Sequence, residues 1–274
     1  MSATTPVRAE PVEALPSLAG EPLRYERDAR GVVTLTLNRP QAFNALSEGM
    51  LAALQAAVDR VAADEGARVV VIAAEGKAFC AGHDLKEMRA EPSLDYYQRL
   101  FAQCGRFMMS VQQLGVPVIA QVQGIATAAG CQLVAMCDLA VAVREARFAV
   151  SGINVGLFCS TPSVALSRNL GRKAAFEMLV TGDFISADEA KAKGLINRVV
   201  DAGDLQAEVG KLVDSILAKP RVAIAAGKGL FYRQLETGIG AAYDDAASTM
   251  ACNMMDPSAL EGVQAFIDKR KPNW

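Results

Sequence analysis

Apolar positions along the chain switch between two periods. Residues 23–28 and 32–37 read as two short strands separated by Ala29-Arg30-Gly31, and they predict a hairpin. Asn38-Arg39-Pro40 ends the second run. Ser47 then offers an N-cap oxygen, and Met50, Leu54, Val58 and Val61 follow at helical spacing. Residues 69–74 are apolar without a break, as in a strand covered on both faces. A helical pattern covers 93–114, and strands are expected over 116–122 and 139–143. This alternation predicts an α/β fold with a parallel sheet and right-handed crossovers. Beyond about residue 161 the strand signals fade. Residues 172–181, 186–193, 205–217, 221–235 and 260–269 read as helices, and Ser186-Ala187-Asp188-Glu189 forms a capping box. The chain thus divides into a flexible N-terminal arm over 1–20, an α/β core over 21–200 and a helical part over 201–274.

Composition narrows the function. Of 274 residues, 51% are hydrophobic and 21% charged, which allows a large core. The net charge of −2 provides no basic surface for nucleic acid. No long apolar stretch is free of charge, so no transmembrane helix and no membrane partner are expected. Residues 1–20 lack an apolar h-region, and Glu10 and Glu13 are unlike a transit peptide. None of the six cysteines forms a CxxC pair; most sit in apolar runs and read as buried hydrophobes in a reducing cytoplasm. His83 is the only histidine, so a histidine-rich metal site or a Ser/His triad elsewhere is unsupported, and no metal is expected.

The candidate chemistry lies in two small-residue turns, 80–86 and 124–132. Each follows an apolar run and opens a helical one. Gly82 permits backbone conformations closed to other residues, and Asp84 places a carboxylate at a helix start. Ala126, Ala128, Ala129 and Gly130 let a ligand approach the backbone closely. Ala129 falls in a first helical turn, where N–H groups lack intrahelical partners. Alone, either turn reads as a strand-to-helix connection or as tight helix–sheet packing. Together, one crossover apart, they predict two N–H groups aimed at one oxygen, an oxyanion hole.

Asn38-Arg39-Pro40 with Asn44-Ala45-Leu46-Ser47, then residues 77–85, then 124–138, resemble the crotonase superfamily, the enoyl-CoA hydratase/isomerase family. The resemblance runs from about residue 23 to the C-terminus. It implies a crotonase-like spiral of ββα units with a helical C-terminal trimerisation region, assembled as a homotrimer or a dimer of trimers. It also implies binding of acyl-CoA, with coenzyme A as part of the substrate and no separate cofactor. The N–H groups of His83 and Ala129 would hold a thioester enolate, and the hydratases' two catalytic glutamates fall on Gln132 and Gly152. Gln132 is three residues past Ala129 on the same helical face; its amide can hold a water but is no general base near neutral pH.

In relatives with other chemistries a carboxylate sits a few residues further on, which here is Ser160. Cys159 and Ser160 read as polar contacts or nucleophiles; alternatively Ser160 or Thr161 caps a helix with Pro162 at its first position. The family further implies that Ala42, Asn44, Ala81, His83, Asp84, Leu85, Lys86 and Ala129 line the path of the CoA. Phe266 and Lys269 of a neighbouring subunit would reach its nucleotide, although the basic run 269–271 also reads as a solvated helix end. The expectation is a cytoplasmic lyase or isomerase of acyl-CoA whose reaction needs less acid–base help than hydration. The alternatives are a decarboxylase, a thioesterase using Ser160 or Cys159, and a non-catalytic acyl-CoA-binding protein.

Overall fold

The computed structural model describes residues 20–274, so the arm expected over 1–20 lies, apart from Gly20, outside the described residues. β1 (Leu23–Arg27) and β2 (Val32–Leu37) pair antiparallel. Gly31 turns the chain between them at φ 83, where a Cβ would sit 2.2 Å from the Gly66 carbonyl oxygen. α1 (Glu48–Ala63) is capped by Ser47, whose oxygen accepts the Met50 N–H, and it buries Met50, Leu54, Val58 and Val61 as their spacing predicts.

The chain then repeats one unit: a strand for a large sheet, a short strand for a small sheet, and a helix. The first unit is β3 (Val69–Ala74), β4 (Ala78–Cys80), α2 (Leu85–Ala90) and α3 (Leu94–Gln113). The second is β5 (Val118–Val122), β6 (Ile125–Thr127) and α4 (Ala129–Met136). The third is β7 (Leu139–Val143), β8 (Arg147–Ala149), a 3-10 turn at Ser151–Val155, and α5 (Ser160–Asn169) with α6 (Arg172–Thr181). β9 (Ile185–Ser186), α7 (Ala187–Lys193), β10 (Arg198–Val200) and α8 (Leu205–Leu217) complete the sheets and cover the larger one.

The large sheet has the order β1-β2-β3-β5-β7-β10 and is parallel except at β1; the small sheet is β4-β6-β8-β9, parallel except at β9. This is the expected α/β spiral. The strand Val69–Ala74 is buried along nearly its whole length, which accounts for its unbroken apolar run. Apolar periodicity does not reveal the small sheet, because strands of two or three residues are too short to show a period. Strand structure also continues past residue 161, at β9 and β10.

α9 (Arg221–Gln234), α10 (Ile239–Met254) and α11 (Pro257–Ile267) follow. α10 is not among the helices expected from the sequence: much of it is alanine and short polar residues, which carry little periodic signal. Across these three helices only Ala265 is buried, while Phe231, Ile239, Tyr243, Met250, Met254 and Phe266 face outward.

Candidate functional site

Because β4, β6 and β8 run parallel, their C-terminal ends lie side by side. The segments leaving those ends carry His83, Ala129 and Gly152 in turn. Loops at the carboxyl ends of parallel strands are where open α/β sheets bind ligands. The two turns expected to cooperate touch: a Cβ on Gly82, at φ 90, would lie 2.8 Å from Ala128 Cβ and 3.2 Å from the Ala129 nitrogen. A Cβ on Gly130 would lie 2.1 Å from the Cys80 carbonyl oxygen. Both glycines are therefore required by close approach of the turns.

The direction of the His83 amide follows from its neighbours. Leu46 N–H donates to the Gly82 carbonyl (2.7 Å), and Asp84 N–H donates to the Leu46 carbonyl (3.3 Å), a parallel bridge centred on His83. In such a bridge the central residue's own N–H points away from the partner chain. Among the described residues it has no backbone acceptor. Ala129 is the first residue of α4, so its N–H has no intrahelical acceptor, and among the described residues it has none outside the helix either. Ala128, just before it, holds φ 50 and ψ −122, a region that costs a residue with a Cβ about 1–3 kcal/mol. The Ala128 N–H bond to the Ala149 carbonyl (3.0 Å) and the pairing of β6 with β8 hold it there.

Gln132 is only 4% exposed, and its Oε1 has no hydrogen-bond partner among the described residues. The His83 ring packs edge-on to Phe101 at 5.4 Å, and among the described residues neither ring nitrogen has a hydrogen-bond partner. Burial pushes its pKa below the ordinary 6.5, with a weaker opposing effect of the Leu46 carbonyl. The unfolded chain therefore binds more protons than the folded one as pH falls through 6.5, and this group's contribution to stability, full above that value, is lost below it. As the only histidine, His83 makes this testable: in urea titrations between about pH 5 and 7, His83→Gln should flatten the acid-side fall in stability.

At Gly152 there is no room for a side chain. A Cβ would lie 2.6 Å from the Leu157 carbonyl oxygen and 2.7 Å from Cys159 Sγ. Cys159 is buried, and burial pushes its thiol pKa up, which disfavours the nucleophilic thiolate. Ser160 is exposed, its Oγ donates to the Phe158 carbonyl (3.3 Å), and among the described residues no base is bonded to it. The expected capping by Ser160 or Thr161 is corrected: Cys159 is the N-cap residue, Ser160 is the first residue of α5, and Pro162 is its third. Proline is tolerated there because the first-turn N–H groups have no intrahelical acceptor.

The residues expected along the CoA path divide into two groups. Ala42 and Asn44 lie on one segment and Ala81, Asp84, Leu85 and Lys86 on another, and backbone bonds join the two segments. Ala81 N–H donates to the Phe43 carbonyl (3.1 Å), and Asp84 caps α2 by accepting the Lys86 N–H (3.1 Å). Asn44 is fully buried: its Oδ1 accepts the Arg39 N–H, and its Nδ2 donates to the Glu75 and Ala78 carbonyls, each at 2.8 Å. Its side chain is thus committed to the fold. Phe266, 85% exposed, and Lys269 stand at the outer end of α11, with no bond to either turn. Sequence reasoning assigned no role to Arg39, which pairs with Asp84, or to the Thr127–Ser151 hydroxyl bond (2.8 Å) that joins two of the loops. Their hydroxyls and guanidinium have no sequence spacing that would reveal those partners.

Residues 27–274 match the family model described as enoyl-CoA hydratase/isomerase. A Mycobacterium smegmatis enoyl-CoA hydratase of known crystal structure is 71% identical, with a TM-score of 0.92 over 92% of this chain and 98% of that one. The crystal structure of human enoyl-CoA hydratase domain-containing protein 3 is 44% identical, with a TM-score of 0.89 over 92% of this chain and all of that one (100%). The Xenopus laevis protein of the same name is 46% identical over 92% of this chain and 86% of its own length. It and its mouse, rat and human counterparts are named mitochondrial, which overturns the expectation of a cytoplasmic location drawn from cysteine usage. Cysteine burial reports local packing rather than a compartment. With the family model spanning nearly the whole described chain, the protein belongs to the enoyl-CoA hydratase/isomerase family.

Proposed function

We propose that the chain binds acyl-CoA thioesters and polarises the thioester carbonyl with the N–H groups of His83 and Ala129. The observation that carries this reading is a pair of amide donors without acceptors on two touching turns. Donors of this kind contribute about 10²–10³ each when charge develops on the oxygen they face. The reaction that fits is one in which an enolate forms with little acid–base help, such as decarboxylation or slow isomerisation, because Gln132 and Gly152 supply no carboxylate. Coenzyme A enters as part of the substrate.

The same two residues favour a second reading, a non-catalytic acyl-CoA-binding protein. Titration of purified protein with a panel of acyl-CoAs, with turnover followed in the same samples, separates the two. Product formation that falls in Gln132→Ala supports the first; saturable binding without product supports the second. Gly82→Ala, which forces the turns apart, should weaken binding under either. Absence of binding to every acyl-CoA would remove both. The outward apolar side chains of α9, α10 and α11 fit self-association as a trimer or a dimer of trimers, and light scattering should then give a mass of about three or six chains.

A further inference from the structure

The two donors are not equally supported by their own elements. Ala129 stands at the start of a helix, whose geometry directs its N–H. His83 stands in a turn after a three-residue strand, between the two bonds of the bridge to Leu46, which direct its amide. What holds Leu46 in place therefore decides where the His83 N–H points.

Residues 39–46 are an unusual segment. Phe43 and Asn44 are consecutive left-handed residues, at φ 50 and φ 54, and neither is glycine. Asn44 pins the inner side of the segment to the chain at Glu75 and Ala78. The outer side is closed by Arg39. Its guanidinium donates through one nitrogen to the Ala45 carbonyl (3.3 Å) and through another to Asp84 Oδ2 (3.3 Å). The Arg39 and Asp84 side chains are largely buried, at 25% and 14% exposure. Ala45 precedes Leu46 and Asp84 follows His83, so the guanidinium ties together the residues that flank the bridge. The weaker of the two bridge bonds, Asp84 N–H to Leu46 at 3.3 Å, is the one that Arg39 spans.

We infer that Arg39 is a positioning residue: held against Ala45 and Asp84, it keeps the Leu46–His83 bridge closed and so fixes the aim of the His83 N–H, without touching the ligand. This rests on the reading that His83 N–H faces the thioester oxygen. A planar fork can meet a carbonyl and a carboxylate at once, whereas an ammonium is a point donor on a flexible stem. Lysine should therefore replace arginine only in part.

The test uses the full chain and butyryl-CoA isotopically labelled at the thioester carbonyl. Infrared difference spectra give the fall in carbonyl stretching frequency on binding, calorimetry gives the affinity, and near-ultraviolet circular dichroism reports the fold. Bound to the wild type, the carbonyl should shift down. In Arg39→Met binding should persist while most of the shift is lost, and Arg39→Lys should recover part of it. A folded Arg39→Met with the full wild-type shift overturns the inference. Should Arg39→Met fail to fold, Asp84→Asn keeps an acceptor for the α2 cap while removing the charge; a wild-type shift there overturns the inference equally. Butyryl-CoA that binds the wild type with no shift, or does not bind, defeats the underlying reading of the donors instead.

Discussion

Hydration of crotonyl-CoA by this protein should be at least about 10⁴-fold slower than by an enzyme with glutamates at both positions. On the proposed reading Gln132 and Gly152 stand in place of both, and each missing acid or base typically costs about 10²–10⁴. Gln132→Glu is the informative repair. The side chain is buried on α4, so a carboxyl there would be held above the ordinary carboxylate range, which suits a proton carrier near neutral pH. That variant should raise hydration measurably but not restore it. Adding Gly152→Glu should not help, because the Leu157 carbonyl and Cys159 Sγ already occupy the space of the first side-chain atom. Even Gly152→Ala should lose about 1–3 kcal/mol, and for a chain of this size each kcal/mol lowers Tm by roughly 2–4 °C. Ordinary hydratase rates in the wild type would show that the acid–base groups lie elsewhere. A Gly152→Ala melting point equal to the wild type's would show that the loop at Ser151–Val155 yields easily.

Lys228→Met should destabilise the fold by about 3–5 kcal/mol, the usual effect of leaving a buried charge without its partner. Only 7% of the Lys228 side chain is exposed. Its ammonium donates to the Val111 carbonyl (3.2 Å), the Val116 carbonyl (2.9 Å) and Asp138 Oδ2 (2.7 Å), which uses all three protons. Asp138 also accepts the Val118 N–H (2.6 Å) and the Tyr232 hydroxyl (2.7 Å). Burial pushes the Lys228 pKa down and Asp138 pushes it back up; burial, then Asp138, raises that of Tyr232. The cluster fastens α9 to the junction between α4 and β7, and so to the far end of the helix that begins at Ala129. Urea denaturation at neutral pH should show a lower midpoint with an unchanged slope. Lys228→Met combined with Asp138→Leu should recover part of the loss, because no lone charge then remains buried. A single Lys228→Met variant as stable as the wild type would mean that water reaches Asp138.

The legible parts of the fold are those whose apolar residues repeat over a turn or more. α1 and α3 show their buried faces in spacing, and β3 shows its two covered faces in an unbroken run. The capping box at Ser186 and Glu189 is present as expected, with both of its bonds. The small sheet was not legible, because two or three residues carry no period. α10 was not, because its alanine and short polar residues carry little periodic signal.

Sequence alone determined the residue types on which the proposed site rests: small ones at 126–130, a glycine at 82, and no carboxylate at 132 or 152. These are matters of residue type, and local chemistry constrains them. Tertiary structure decided their relation. Parallel pairing of β4, β6 and β8 brings three loops to one edge, and contact across Gly82 joins the two small-residue turns. The Leu46 bridge turns the His83 amide outward, and Arg39 closes over it. Cys159 and Leu157 fill the space beside Gly152. Each is a contact between residues far apart in the chain, set by sheet register and close packing rather than by any short-range pattern.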